Sequence, residues 1–209
     1  EAFKTALSER TAGMLQTNPT SLSVFDTNVM AMGDMIHDVG GVFAYDAANT
    51  NSVMGHARPR DLNFDLVHYN AHKAFSSPHG GYGPGMGVVA VSEELAPFLP
   101  SPIVEFDGTR YFFDLDRPLS IGRIKQFYGN VPNAVRAYAW ILAMGYPGIA
   151  AATDIAVLNN NYIIHKMKEI RGINVPMADG RMRMEETVYS LKQLLDETGV
   201  DAHHFALRV

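Results

Sequence analysis

The stretch VHYNAHKAFSSPHGGYGPGMG, residues 67–87, is the part of the chain that decides the fold. It begins in an apolar run, reaches Lys73, and ends in a glycine-dense segment from Gly80 to Gly87. Short apolar runs are typical of buried strands, and glycines allow positive φ angles and close approach of the backbone to a bulky ligand. The stretch therefore predicts a strand whose carboxyl end opens on a binding site.

The composition is that of an ordinary globular protein. The 209 residues are 47% hydrophobic and 19% charged, with a formal net charge of −5, so neither nucleic acid nor a membrane is a predicted partner. No apolar run reaches the roughly 18–20 residues of a membrane span. The lack of cysteine excludes disulfides, thiolate metal sites and a cysteine nucleophile. Both ends interrupt an apolar pattern, so we expect a chain that is incomplete at both ends.

Four short apolar runs alternate with turn signals and with one helical pattern. The helical pattern extends from Val24 to Ile36 and stops at Gly40. The runs show little alternation of polarity, which favours an α/β fold with a sheet covered on both faces. The predicted strands are 11–17, 42–47, 64–70 and 87–92.

The second half of the chain carries a different pattern. Asp107-Gly108 lies between two apolar runs and predicts a hairpin. Two long helices are predicted on either side of Gly145 and Pro147. Residues 184–191 are predicted as a strand that opens a second domain, followed by a short helix.

Polar side chains follow two of the predicted strands where each strand ends. Asp46 ends one strand, His68 and Asn70 end the next, and Lys73 follows. An acid and a lysine at neighbouring strand ends are the two groups that a pyridoxal phosphate site needs. The lysine forms a Schiff base, and the carboxylate keeps the pyridine nitrogen protonated.

Each of these groups also has an ordinary interpretation. Lys73 could be a solvated surface lysine, Asp46 a helix cap or turn former, and the glycine segment only a mobile loop. His68, His72 and His79 could suggest a metal site, but they lack a ligand spacing such as H-E-x-x-H, and no metal is predicted.

The order of these motifs resembles the glycine cleavage system P-protein family. The chain reads YDAAN, then VHYNAHK, then PHGGYGPG, where that family has YDGAN, HLNLHK and PHGGGGPG. The similarity continues through LAPFLP, DRPLSIGRIKQFYGN and AVLNNNYI, and upstream through TAGMLQTNPTSL, so it covers most of the chain. It implies a fold-type-I pyridoxal phosphate enzyme with a mixed, mostly parallel sheet and flanking helices.

The resemblance assigns roles position by position. Lys73 is implied to be the Schiff-base lysine, Asp46 the partner of the pyridine nitrogen, and His72 a third catalytic candidate. Further positions are implied to line the cofactor pocket: Ala48, Asn49, His68, Asn70 and Asn18. The chain departs from the family where Tyr82 interrupts the glycine run and where Glu185 stands at the position of a histidine.

The implied function is that of a pyridoxal-phosphate-dependent, aminomethyl-transferring glycine dehydrogenase. Glycine would be decarboxylated and its aminomethyl group passed to the lipoyl arm of H-protein. Residues 1–120 would form the second half of the cofactor-binding domain, 121–170 connecting helices, and 171–209 the start of a small domain. An oligomer that includes a partner P-protein subunit or half is expected, in the cytoplasm or, in a eukaryote, the mitochondrial matrix.

Two alternatives stay open. Another fold-type-I amino-acid decarboxylase or aminotransferase would share Lys73 and Asp46 but not the acceptor. A non-catalytic interaction subunit is the alternative from a different class, and the presence of both residues speaks against it.

Overall fold

The structure, a computed structural model, describes residues 1–81, 83, 85–125, 128–177 and 180–208. Its first half forms a four-stranded sheet, and its second half carries a separate hairpin and a long helix. The strands are β1 (Gly13–Thr17), β2 (Val42–Ala47), β3 (Leu66–Asn70), β4 (Gly87–Val91), β5 (Ile103–Phe106) and β6 (Tyr111–Asp114). The helices are α1 (Ala2–Ala6), α2 (Val29–Asp38), α3 (Ala71–Ala74), α4 (Val131–Lys168), α5 (Lys192–Thr198) and α6 (Ala202–Ala206).

The main sheet has the strand order β1-β2-β3-β4. The first three strands are parallel, and β4 runs antiparallel to β3. All four strands were predicted, and β2 begins and ends at the predicted residues. The sheet is therefore mixed and mostly parallel, which brings the carboxyl ends of β1, β2 and β3 to one edge.

An aromatic stack holds α2 and the loop before β3 against this sheet. Phe43 and Tyr45 of β2 both stack on Phe64, with ring centroids 4.3 Å and 4.5 Å apart. Val29 and Ile36 of α2 are buried in the same core cluster. Because these side chains are removed from water, the cluster is the main source of hydrophobic stabilisation in the first half of the chain.

The described residues cover one face of the sheet more fully than the other, and a sheet covered on both faces stays a prediction. Along β2 the residues alternate between half-buried and buried, so that Phe43, Tyr45 and Ala47 share the buried face. The outer strands β1 and β4 leave most of their residues exposed or half-buried. Apolar composition alone did not reveal this, because an uncovered strand face can be as apolar as a covered one.

The second half confirms the hairpin and the two helical segments. Asp107 Oδ1 accepts hydrogen bonds from the backbone N–H groups of Thr109 and Arg110, both at 2.9 Å, and so closes the turn between β5 and β6. The two predicted helices are the halves of α4, which kinks at Gly145, where φ is 58° and ψ is 177°. The division of the chain into domains at 120 and 170 stays a prediction.

The predicted strand at residues 184–191 is wrong. Within the described part of this segment, β-sheet pairing is limited to one isolated bridge between Ser190 and Asn174. Backbone groups of the segment bond instead to the loop after β1 and to α4. Met184 N–H donates to the Ser23 carbonyl at 2.7 Å, and the Asn160 amide donates to the Met184 carbonyl at 2.8 Å. The short helix predicted after it is α5.

Helix α4 is long and apolar enough to cross a membrane, by length and composition alone. It is the one helix among the described residues with that property, although no membrane partner was predicted. Polar groups along it contact other parts of the chain. The Tyr146 hydroxyl donates to the Gly55 carbonyl at 3.2 Å, and the Asn133 amide donates to the Pro78 carbonyl at 3.2 Å. These bonds attach α4 to the first half of the chain, although only 6% of its apolar stretch is buried among the described residues.

The aromatic stack generates a stability prediction. Phe43→Ala removes a fully buried ring that contacts Phe64, and we expect it to lower the free energy of unfolding by about 3–5 kcal/mol in denaturant titrations. Phe205→Ala makes the same change at a half-exposed ring and should cost less than about 1 kcal/mol. Similar losses in the two variants would contradict the assignment of the core.

Candidate active site

The strand register places three polar residues in one row at the carboxyl edge of the sheet. Thr17 of β1 pairs with Asp46 of β2, and Asp46 pairs with His68 of β3. Tyr45 and Ala47, on either side of Asp46, belong to the buried face. Because successive side chains of a strand point to opposite faces, Asp46 points away from the core. The packing of the core thus sets the position of this carboxylate.

Asp46 is held by hydrogen bonds that suit an ionised carboxylate. Its Oδ1 accepts from the Ala48 backbone N–H at 3.1 Å and lies 3.4 Å from Nδ1 of His68. Its Oδ2 accepts from the Thr17 hydroxyl at 3.4 Å. The side chains of Asp46 and His68 are 33% and 37% exposed, so both can be reached by a ligand. The structure therefore brings Thr17, Asp46, Ala48 and His68 together.

Lys73 lies one turn beyond the end of β3. It is on the short helix α3, its side chain is exposed, and it makes no hydrogen bond or ion pair within the described residues. Lys73 lines an open cleft of about 480 Å³. The cleft is lined by Asn49, Asn51, Lys73, Ala156, Glu185 and Glu186. The lysine is therefore available to a ligand. Asn49 lines the same cleft, and its contact with a cofactor stays a prediction.

His72 holds the end of the glycine segment. Its Nδ1 lies 3.0 Å from the Met86 backbone nitrogen and 3.1 Å from the Met86 carbonyl oxygen. The neutral ring with its proton on Nε2 accepts from the N–H, and a protonated ring would donate to the carbonyl. The His72 ring also meets the ring of His79 edge-on, with centroids 4.4 Å apart. In this structure His72 positions the glycine segment, and its part in catalysis stays a prediction.

The two histidines fit against glycines that have no room for a side chain. A Cβ on Gly85 would lie 2.8 Å from Cε1 and Nδ1 of His72, and a Cβ on Gly87 would lie 3.1 Å from Nε2 of His68. Asn70 pairs with Gly87 across the strands β3 and β4. The predicted interruption of this segment at Tyr82 lies outside the described residues.

Asn18 is buried, and its side chain is used within the fold. It is 1% exposed, and its amide group bonds to the backbone of Asp26 in both directions, at 2.8 Å and 3.3 Å. The Tyr45 hydroxyl donates to the Asn18 carbonyl. Burial is the main cause that raises the pKa of Tyr45, which keeps its hydroxyl neutral as a donor. The contact of Asn18 with a cofactor stays a prediction.

Two glutamates in the cleft were not predicted as site residues. Glu185 and Glu186 lie next to Lys73 because the segment before α5 docks on the loop after β1. Glu186 N–H donates to the Ser23 hydroxyl at 2.9 Å, and the side chain of Glu186 accepts from the Asn49 amide at 3.0 Å. The one signal in the sequence was that Glu185 stands where the P-protein family has a histidine, and no pattern placed it beside Lys73.

A larger cavity, of about 600 Å³, lies elsewhere. Its lining includes His37, Arg60 and Asp65 near the start of β3, and it contains none of the predicted site residues. His37 Nε2 lies 2.9 Å from Asp65, which also accepts from the Phe43 backbone N–H. His37, Asp65 and the Phe43 N–H form hydrogen bonds with one another. The candidate site is therefore the smaller cleft at Lys73. No group of three or more possible metal ligands occurs in the described ranges.

The contact between Gly85 and His72 can be tested by a double-mutant cycle. Gly85→Ala places a methyl group against the His72 ring, so we expect faster hydrogen exchange at the Met86 amide and a loss of about 1–3 kcal/mol in unfolding free energy. Combining it with His72→Ala should recover part of this loss, with a coupling of about 0.5–3 kcal/mol. Strictly additive losses would show that the ring and the glycine do not meet.

Known proteins are similar to this chain in both sequence and fold. The probable glycine dehydrogenase (decarboxylating) subunit 2 of Alkaliphilus oremlandii is 51% identical over 169 residues, which are 81% of this chain and 35% of that protein. The subunit of the same name from Thermococcus kodakarensis is 44% identical over an alignment of 211 positions, which covers 100% of this chain and 42% of that protein. The chain thus spans less than half the length of these relatives. No family model matches it.

Solved structures show the same architecture. A glycine decarboxylase (P-protein) of the glycine cleavage system, in an inhibitor-bound form, aligns with a TM-score of 0.62 at 16% identity, over 84% of this chain and 42% of that one. The sphingosine-1-phosphate lyase of Burkholderia pseudomallei aligns with a TM-score of 0.57 at 10% identity, over 82% of this chain and 39% of that one. The likeness concerns the fold, which is of the fold-type-I class. The resemblance to the P-protein family is confirmed, because the chain is homologous over most of its length to part of the glycine dehydrogenase (decarboxylating) subunit 2.

Proposed function

We propose that this chain supplies the lysine-bearing part of a pyridoxal-phosphate-dependent glycine dehydrogenase of the glycine cleavage system. The observation that carries the proposal is the position of Lys73. Its amine has no partner within the described residues, and the residue lines a cleft and follows β3, the strand that pairs with the Asp46-bearing strand β2. The names of the relatives support glycine as the substrate.

The residues present fit two ends of pyridoxal phosphate. An unpaired lysine amine suits the aldehyde end of the cofactor. The Asp46 side chain is one-third exposed, and its Oδ2 makes only a long contact of 3.4 Å with Thr17, so this carboxylate suits the pyridine nitrogen. Ala48 directly follows the strand end and has a small side chain. We assign Lys73 and Asp46 as the groups that hold the cofactor, with Ala48, Asn49, His68 and Asn70 around them.

The chain's own residues would then act as follows. Pyridoxal phosphate, when bound, supplies a sink for the electron pair that glycine keeps when its carboxylate leaves. Asp46 would hold a proton at the pyridine nitrogen, because its negative charge stabilises a positive charge there. His68 and the Ala48 backbone N–H fix the Asp46 carboxylate, so little reorganisation is needed during the reaction. Lys73 would bind the cofactor covalently and release it to the amino group of the substrate.

The partners follow from the same assignment. We propose that the aminomethyl group passes to the lipoyl arm of H-protein, and that the chain works in an oligomer with a second P-protein subunit or half. The name "subunit 2" of the relatives supports the latter. We place the enzyme in the cytoplasm, or in the mitochondrial matrix of a eukaryote, as the resemblance implies. Cell fractionation and co-purification with lipoylated H-protein test these points.

The covalent assignment has a direct test. When the complete subunit is loaded with pyridoxal phosphate and reduced with borohydride, we expect the cofactor to be fixed to one peptide that contains Lys73. Lys73→Ala should abolish the label and the glycine-dependent exchange of carbon dioxide, while the melting temperature stays within a few degrees, because the side chain is exposed.

Lys192→Ala is the matched control, because Lys192 is an exposed lysine that pairs with Asp196 on α5. It should keep both the label and the exchange activity. A label found mainly on another lysine would refute the assignment of Lys73. A labelled protein that does not exchange carbon dioxide with glycine would point to another fold-type-I decarboxylase or aminotransferase.

Asp46→Asn tests the second group. The amide keeps the shape of the side chain but removes the charge, so we expect glycine decarboxylation to fall by about 10²–10³-fold. The unfolding free energy should change by less than about 1 kcal/mol, because the side chain is one-third exposed. Steady-state exchange of labelled carbon dioxide and denaturant titration provide the two measurements. Near-normal turnover in Asp46→Asn would show that the pyridine nitrogen has another partner.

A further inference from the structure

We propose that Glu185 is an additional catalytic residue, which takes a proton from the ammonium group of the incoming amino acid. The inference rests on the proposed function, because it uses the same cleft at Lys73. It goes beyond that function by naming the base that turns the bound substrate into a nucleophile.

The first observation is an unsatisfied oxygen. Oε2 of Glu185 is shielded from solvent and has no hydrogen-bond donor among the described residues. Buried polar atoms almost always have partners, and a charged oxygen without one is costly. Glu185 and Lys73 line the same cleft, so a turn of the Glu185 carboxylate toward a ligand ammonium group there would give this oxygen the donor that it lacks.

The second observation is that the backbone on both sides of Glu185 is fixed. Met184 N–H donates to the Ser23 carbonyl, and Glu186 N–H donates to the Ser23 hydroxyl. Arg183, which is 4% exposed, donates to the carbonyls of Leu22 and Pro176 at 2.8 Å and 3.1 Å. The backbone that carries Glu185 is therefore fixed before any ligand arrives, which limits the rearrangement to the side chain itself.

The other acids of this region already have partners. Glu186 accepts from the Asn49 amide, and Asp46 accepts from the Ala48 N–H and the Thr17 hydroxyl. The Tyr45 hydroxyl donates to the Asn18 carbonyl and stays neutral, since burial raises its pKa, with smaller contributions from Tyr69, Glu185 and Asp46. Among the described acids near Lys73, Glu185 is thus the one with a shielded oxygen left to accept a proton.

The lining of the cleft selects the amino end of a substrate. It holds two carboxylates, two amides and one lysine, and no arginine is among its described lining residues. Such a lining binds an ammonium group better than a carboxylate. The ligand class is therefore a small amino acid, approached through its nitrogen.

The proton transfer balances without a further reactant. An N–H bond of the substrate ammonium breaks, and an O–H bond forms at Oε2 of Glu185. The nitrogen keeps the electron pair and becomes a neutral amine, and Glu185 becomes a neutral acid. No electrons are gained or lost, and the net charge of the site with its substrate is unchanged.

The test measures glycine capture by the complete enzyme. The holoenzyme, with its partner subunit and pyridoxal phosphate, is mixed with glycine in a stopped-flow spectrometer from weakly acidic to weakly alkaline pH. We expect the capture rate of the wild type to change little with pH. In Glu185→Gln it should fall by ~10²-fold or more at neutral pH and rise with pH, because only solution hydroxide then supplies the free amine. The titratable groups on the surrounding elements are the same in both proteins. They are Glu186 on the same segment, Tyr45 and Asp46 on β2, and Lys73 on α3.

A second readout follows protons instead of turnover. With a pH-indicator dye in weak buffer, Glu185→Gln should release about one proton to solution per glycine captured, where the wild type releases none at the same step. Glu185→His should restore fast capture above neutral pH, because imidazole is also a base. Glu169→Gln, at an exposed glutamate outside the cleft that pairs with Lys166, should keep the pH dependence of the wild type.

The outcomes separate the two proposals. If the wild type captures glycine and Glu185→Gln shows the same pH dependence and proton release, the role of Glu185 is refuted and the proposed function stands. If the loaded wild type does not capture glycine at all, both proposals are overturned. Cofactor content and melting temperature of each variant verify that the fold is intact.

Discussion

The parallel, in-register pairing of β1, β2 and β3 is the constraint on which the rest of the structure depends. Phe43 and Tyr45 stack on Phe64 in the core, and the period of two along β2 then directs Asp46 to the opposite face. A slip of one residue would bury the Asp46 carboxylate and expose both rings, at a cost of several kcal/mol. The same packing that stabilises the sheet therefore fixes the acid at its carboxyl edge, in a row with Thr17 and His68.

Much of this arrangement could be predicted from the sequence, because it is local. The strand Val42–Ala47 was predicted to the residue, since an apolar run between a glycine and a polar strand end has few other interpretations. The position of Lys73 after β3 follows from the same kind of pattern. The hairpin at Asp107 and the kink at Gly145 are likewise set by turn chemistry that one or two residues carry.

The features that the sequence did not predict depend on interactions between distant parts of the chain. Residues 184–191 look like a strand, but their backbone groups bond to Ser23 and Asn160, which lie far away in the sequence. No local pattern encodes such contacts, so Glu185 could not be placed beside Lys73 in advance. The exposure of β1 and β4 was missed for a similar reason, because composition describes what a strand can bury and not what covers it.

The comparison of two carboxylates shows how one fold prepares different chemistry. Asp46 is accessible, and its carboxylate has three hydrogen-bond partners, the Ala48 backbone N–H, the His68 ring and the Thr17 hydroxyl. Glu185 has the same functional group, yet its Oε2 is shielded and lacks a donor. An acid whose oxygens have hydrogen-bond partners is held in one orientation, whereas an acid with an unmet acceptor can still take a donor from a ligand. The division of roles between them follows from their surroundings, and those surroundings are set by the strand register in one case and by the contact with Ser23 in the other.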